Sequence, residues 1–219
     1  MSMKKALFYA GAIAFAAALA ACGKVDEDNS RETAGNVTWA AANVDGNREF
    51  AARPDMNTKF YQWNRETAWA AEGSVSGWSS TADRSSTWTA NPCPDGWRLP
   101  TRAEFEALSN LGSSWAAVDD TTQTGAKRGN AVAGRFFGVN HATCTMGSLE
   151  VDSCIFLPAA GCRRSSDGAL FFLPGKSGSY WSSRQNDMNN GYGLYFDKDV
   201  VYTSSLGNKA LGMNIRCVK

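Results

Sequence analysis

The chain has 219 residues, 43% of them hydrophobic, with 22 Lys and Arg against 21 Asp and Glu. That length accommodates one or two domains with a real core. A net charge of +1, with no run of like charge that would make a basic arm or an acidic tail, argues against a nucleic-acid partner, because nothing here could neutralise a row of phosphates. A single histidine, His141, excludes two-His zinc centres and leaves imidazole-driven catalysis without a basis.

Lys4 and Lys5 precede a short apolar run, Ala6 to Ala18, which falls short of a comfortable bilayer span and reads as a secretory signal over residues 1–21. Leu19-Ala20-Ala21-Cys22 resembles the lipobox of bacterial lipoproteins. Small residues admit the signal peptidase, and the Cys22 thiol takes the diacylglycerol. Two or three acyl chains, palmitate among them, would then anchor the protein stably, with membrane lipid as its first partner. Residues 22–36 are polar and read as the lipidated cysteine and a solvated tether. Their acidic cluster, Asp26-Glu27-Asp28, looks like the surface-export signal of lipoproteins from Bacteroidetes-type bacteria. The expected location is therefore the bacterial outer membrane, facing outward; a merely soluble linker is the alternative reading of the tether.

From residue 37 on, no linker and no internal repeat divides the chain, so 37–219 reads as one domain. The clearest element is a helix from Thr101 to Leu111. Thr101 and Glu104 form a capping box, Phe105, Leu108 and Leu111 share a face, and Gly112 ends the run. Asn64–Ala71 is a weaker second helix. Strand-like segments are Val37–Ala41, Phe60–Trp63, Arg135–Val139, Ile155–Leu157, Gly193–Phe196, Val200–Tyr202 and Met213–Val218, with turn clusters such as Asp45-Gly46-Asn47 between them. The fold class is α+β, with short strands, one or two helices and long loops.

Beyond Cys22 there remain Cys93, Cys144, Cys154, Cys162 and Cys217, an odd number without C-x-x-C spacing. Strand-like segments flank the Cys144–Cys154 loop, so a hairpin with a disulfide across its neck is expected. Cys93 and Cys217 would then close nearly the whole domain. Cys162 is left over as a small buried hydrophobe; a Cys154–Cys162 bridge is the competing assignment.

Five strings, in order, carry a family resemblance: Phe60-Tyr61-Gln62-Trp63-Asn64-Arg65, Cys93-Pro94-Asp95-Gly96-Trp97-Arg98-Leu99-Pro100-Thr101, Phe156-Leu157-Pro158-Ala159-Ala160-Gly161, Gly178-Ser179-Tyr180-Trp181-Ser182-Ser183 and Ile215-Arg216-Cys217-Val218. Together they resemble the Fibrobacter succinogenes major paralogous domain family, from about Val37 to the C-terminus. The resemblance implies a C-type-lectin-like fold, in the branch that includes formylglycine-generating enzymes and the variable proteins of diversity-generating retroelements. It also implies that the two ends of the domain meet. Cys162 and the cysteine-flanked hairpin at 144–154 depart from the family pattern.

No set of reactive groups converges in the sequence, so no catalytic residue and no cofactor is expected. Cys144, Cys154 and Cys162 do not match the copper-holding cysteine pair of formylglycine-generating enzymes. Glu104 and Glu106 sit two apart on a helix start, off a common face, and read as cap and solvated surface. The segments 184–187 and 197–199 hold oxygen ligands but lack the signatures of calcium-dependent lectins, so no metal is expected. Between Trp181 and Asn214 lie Arg184, Gln185, Asn186, Asp187, Asn189, Asn190, Tyr192, Tyr195, Asp197, Asp199, Tyr202 and Asn208. Tyr, Asn and Asp are residues of adaptable recognition loops, and the resemblance implies a ligand-facing surface in this stretch. The expected function is a cell-surface lipoprotein with a glycan- or protein-binding domain, a diversified recognition protein being one form of it. The alternatives are a surface enzyme, formylglycine-generating-enzyme-like or polysaccharide-active, and a purely structural envelope protein.

Overall fold

The structure, a computed structural model, describes residues 37–149, 153–171 and 174–219. The signal segment 1–21, Cys22 and the tether lie outside the described residues. The helix α1 (Arg102–Asn110) starts where its cap dictates. Thr101 Oγ accepts from Glu104 N–H at 3.2 Å, and the Glu104 carboxylate accepts from Thr101 N–H at 2.7 Å. Phe105 and Leu108 are buried, whereas Leu111 is the C-cap residue and 49% exposed, so it does not share their face. Glu104 is not solvated. It is 3% exposed and takes two hydrogen bonds from the Arg98 guanidinium, at 2.9 and 2.6 Å.

Among the described residues the strands form three small antiparallel sheets. β1 (Ser113–Ala116), β2 (Gly134–Phe137) and β3 (Ile155–Pro158) pair in that order, with Phe137 opposite Ile155. Every residue of β2 and β3 is buried, Arg135 included, whose guanidinium donates to Asp197 O, Lys198 O and Ser113 Oγ. β4 (Cys162–Arg163) pairs with β5 (Leu170–Phe171). β6 (Ser177–Gln185), β7 (Asn190–Asp197) and β8 (Val201–Asn208) make a meander, in which the strand-like segments Gly193–Phe196 and Val200–Tyr202 extend into longer strands than expected. Polar residues on the open faces of these strands masked the period-two signal.

Asn64–Ala71 is not helical. Asn64 adopts φ 54°, its side-chain oxygen accepts from the Thr89 and Ala90 N–H groups, and Trp69 then bridges Phe60 in extended form. A side chain that binds backbone outside its own turn competes with the helix and here wins. Val37–Ala41 and Met213–Val218 form isolated bridges instead of full strands. They still bring the ends of the domain together: Trp39 bridges Val218, and Thr38 N–H donates to Lys219 O at 2.9 Å.

The core has three apolar clusters. One joins Trp39, Phe105 and Leu108 to Phe137, Leu157, Tyr180, Leu194 and Phe196. A second gathers Trp63, Trp181, Met213 and the Cys93–Cys217 disulfide, and a third surrounds the Cys144–Cys154 disulfide. Both expected disulfides are present, and Cys162 is a free, buried cysteine. Buried arginines satisfy the irregular backbone between the clusters. Arg216, sealed from solvent, donates to the carbonyls of Ala40, Ala41 and Phe156 and to Asn43. Arg163 does the same for Ala70, Glu72, Gly73 and Gly168.

Candidate ligand-binding surface

Strand alternation along β7 sends Asn190, Tyr192, Leu194 and Phe196 to one face and Gly191, Gly193, Tyr195 and Asp197 to the other. Helix α1 covers part of the first face, packing Phe105 and Leu108 with Leu194 and Phe196. Trp181 and Trp63 cover part of the second, their rings 5.4 Å apart. Glycine is needed there: a Cβ on Gly191 would lie 2.4 Å from the Trp63 ring, and one on Gly207 would lie 3.1 Å from that of Trp181. Each face is therefore buried at one end and open at the other. The first opens beside the β6–β7 turn and the second beside the β7–β8 turn.

This arrangement divides the residues singled out from the sequence. Asn190 and Asn208 are paired across β7 and β8, Tyr192 stands opposite Leu206, and Arg184, Gln185, Asn186, Asp187 and Asn189 adjoin them at the β6–β7 turn. Tyr195, Asp197 and Tyr202 lie on the opposite face, with Asp199 in the β7–β8 turn. At about 3.3 Å per residue, Asn190 and Asp197 stand roughly 23 Å apart along the strand. The structure thus brings eight of the twelve together and leaves four elsewhere.

The β6–β7 turn is built around Asp187. Its carboxylate accepts from the N–H groups of Asn189 and Asn190 at 2.7 and 2.9 Å and from the Asn186 and Asn190 side chains. Those bonds, that from the Asn190 amide foremost, hold the carboxyl below its ordinary range. Tyr192 O–H donates to Asn186 Oδ1 at 2.8 Å. Gln185 Oε1 accepts from Lys209 Nζ at 2.9 Å, and Lys209, sealed from solvent, also donates to Ser85 O at 2.8 Å. Asn208 Oδ1 accepts from Ala210 N–H. The polar groups here largely fix one another, which makes the surface preorganised.

Side chains that sequence reasoning passed over complete this surface. The Arg102 guanidinium lies 5.1 Å from the centroid of the Tyr192 ring. Met188 and Leu206 are 61% and 44% exposed. The result is an apolar and aromatic platform with carboxamides at its rim. No local signal could assign Arg102, which reaches the platform from the first turn of a helix far away in sequence.

On the opposite face Tyr195 and Tyr202 stack, their ring centroids 6.3 Å apart. Tyr195 O–H donates to Asp197 Oδ2 at 3.2 Å, and Asp197 Oδ1 accepts from the N–H groups of Asp199 and Val200. Burial, with Asp197 alongside, pushes the Tyr195 phenol up to about 12. Among the described residues no three His, Cys, Asp or Glu side chains gather as metal ligands would, and no helix is long and apolar enough to cross a membrane.

The family model described as the Fibrobacter succinogenes major domain matches residues 23–219. The chain belongs to that family. The match takes in both halves of the divided surface and begins at Gly23, ahead of Val37, where the quoted motifs place its start. No curated protein and no solved structure matches the chain.

Proposed function

We propose that this member of the family is an outer-membrane lipoprotein, anchored through acylated Cys22 and exposed at the cell surface, whose C-type-lectin-like domain binds a glycan or protein without catalysing a reaction. The observation that carries the proposal is the platform at the β6–β7 turn. Tyr192 is backed by Arg102, stands opposite Leu206 and is rimmed by Asn189, Asn190 and Asn208, with Met188 exposed in the adjoining turn, on a frame closed by a disulfide. Flat aromatic surface supplies contact area at little entropic cost, and fixed amides supply direction. The joined ends of the domain support the lectin-like reading, and the Leu19–Cys22 motif supports the anchor.

The test is an array of glycans and bacterial and host surface proteins probed with the full chain in detergent. A bound ligand should lose roughly 30-fold in affinity with Tyr192→Ala, the cost of an interface hot spot. Unchanged binding would move the site off the platform. Separately, Cys22→Ser should abolish palmitate labelling and release the protein from membranes; persistent labelling would refute the anchor.

A further inference from the structure

Two arginines, far apart in the chain, are brought to the platform end of the sheet. Ser183 N–H donates to Pro100 O at 2.7 Å, which ties the end of β6, where Arg184 lies, to the residues that open α1. The Arg102 guanidinium lies 5.1 Å from the Tyr192 ring centroid and forms no ion pair among the described residues. The acidic groups around it do not neutralise it. Asp187 commits both carboxylate oxygens to the donors that close its turn. Glu104 pairs with Arg98 instead, and Glu106, four residues along the same helix, stays outside ion-pair distance.

The amides on the same surface leave an acceptor and a donor side by side. Asn190 and Asn208 are cross-strand partners, which sets their Cβ atoms about 5 Å apart. Asn190 gives its Nδ2 to Asp187, and its Oδ1 has no partner among the described residues. Asn208 Oδ1 accepts from Ala210 N–H, and its Nδ2 is left over in the same way. Such a pair suits neighbouring hydroxyls, each of which donates and accepts. Leu206, opposite Tyr192 and 44% exposed, offers apolar surface to ring C–H groups.

We infer that the platform takes an acidic saccharide, a hexuronate-bearing glycan whose carboxylate meets the Arg102 guanidinium. This rests on the platform reading above and narrows it to one ligand class. A guanidinium held against an aromatic ring is oriented before the ligand arrives, and a carboxylate accepts two parallel bonds from its planar fork. A hexuronate ring joins that carboxylate to neighbouring hydroxyls and C–H faces, the three chemistries gathered here. An acidic peptide would supply the carboxylate without the hydroxyls, and the asparagine pair would then go unanswered.

Calorimetric titration of the full chain in a non-ionic detergent tests this with trigalacturonate, its methyl ester, and a sulfated carrageenan oligosaccharide that lacks carboxylates. The acid should bind about tenfold more tightly than either of the others. Arg102→Gln should lose that tenfold for the acid and nothing for the ester. Arg102→Lys should recover only part of it, because an ammonium cannot match both oxygens at once. Lys198→Gln, which removes an exposed charge in the β7–β8 turn, should bind as the parent does. A melting curve on each variant checks that it is folded. Acid binding that survives Arg102→Gln, falls equally in Lys198→Gln, or is matched by the sulfated sugar would overturn the inference. Equal binding of acid and ester, abolished by Tyr192→Ala, would overturn it and leave the platform standing. If none of the three probes binds, the acidic preference fails, and the platform is judged separately on the array.

Discussion

Asp187 shows how differently one residue reads in the sequence and in the fold. Beside three asparagines it reads as a ligand contact on a recognition loop, but its carboxylate gathers the donors that close the β6–β7 turn. Asp187→Ala should therefore cost about 1 kcal/mol, since those donors lose their acceptor. It should also weaken any ligand held by Tyr192, because Asn186 and Asn190 lose their common anchor. Chemical denaturation and array binding on the one variant check both effects; parent-like stability would return Asp187 to the role of a bystander. Cys162 is a simpler case. Burial pushes its thiol up to about 12, so the native protein should resist iodoacetamide and take up one label only after unfolding. Labelling of the native protein, followed by mass mapping, would refute that.

At the scale of elements, α1 joins the platform to the core. Its first turn places Arg102 over Tyr192, while Phe105 and Leu108 reach Leu194 and Phe196. The cap that begins the helix is thus also a support for the surface. Burial pushes the Glu104 carboxyl upward, but hydrogen bonds from Arg98 and Thr101, together with the Arg98 charge, outweigh it and leave the pKa below its reference of 4.5. A carboxyl whose pKa is depressed on folding stabilises above its unfolded value and loses that contribution as pH falls through the folded one. Stability should therefore decline below about pH 4.5, and Glu104→Gln should flatten that part of the decline. Thr101→Ala should cost about 1 kcal/mol at neutral pH. Urea midpoints between pH 3 and 7 measure both effects, and an unchanged acid limb in Glu104→Gln would show that other carboxylates set it. The capping box was legible in the sequence because it is local. Asn64–Ala71 was misread because the donors to Asn64 come from Thr89 and Ala90, which no helical window contains.

For the whole molecule, the Cys93–Cys217 disulfide spans 124 residues and Cys144–Cys154 spans 10. Loop entropy assigns about 5 and 3 kcal/mol to them, in a model that treats the unfolded chain as random. Replacing Cys93 and Cys217 together by serine should lower the melting temperature more than replacing Cys144 and Cys154, and differential scanning calorimetry decides the order. Reversal would mean that strain or residual structure outweighs chain entropy. By itself the sequence determined the family, through five ordered strings. It also determined the capped helix, through three-residue spacing, and pointed to both disulfides, while the choice between Cys144–Cys154 and Cys154–Cys162 fell to the fold. These features are local or combinatorial, so they survive without coordinates. Only the tertiary structure decided which candidate residues share a surface. Alternation in β7, the close approach of Trp63 and Trp181 to Gly191 and Gly207, and the packing of α1 on the other face leave opposite ends of the sheet open. The same holds for Arg102 and Arg184, which the bond from Ser183 to Pro100 brings to one end of the sheet although sequence order keeps them apart. A side chain's partners across a sheet depend on long-range pairing, and no window of neighbouring residues encodes that pairing.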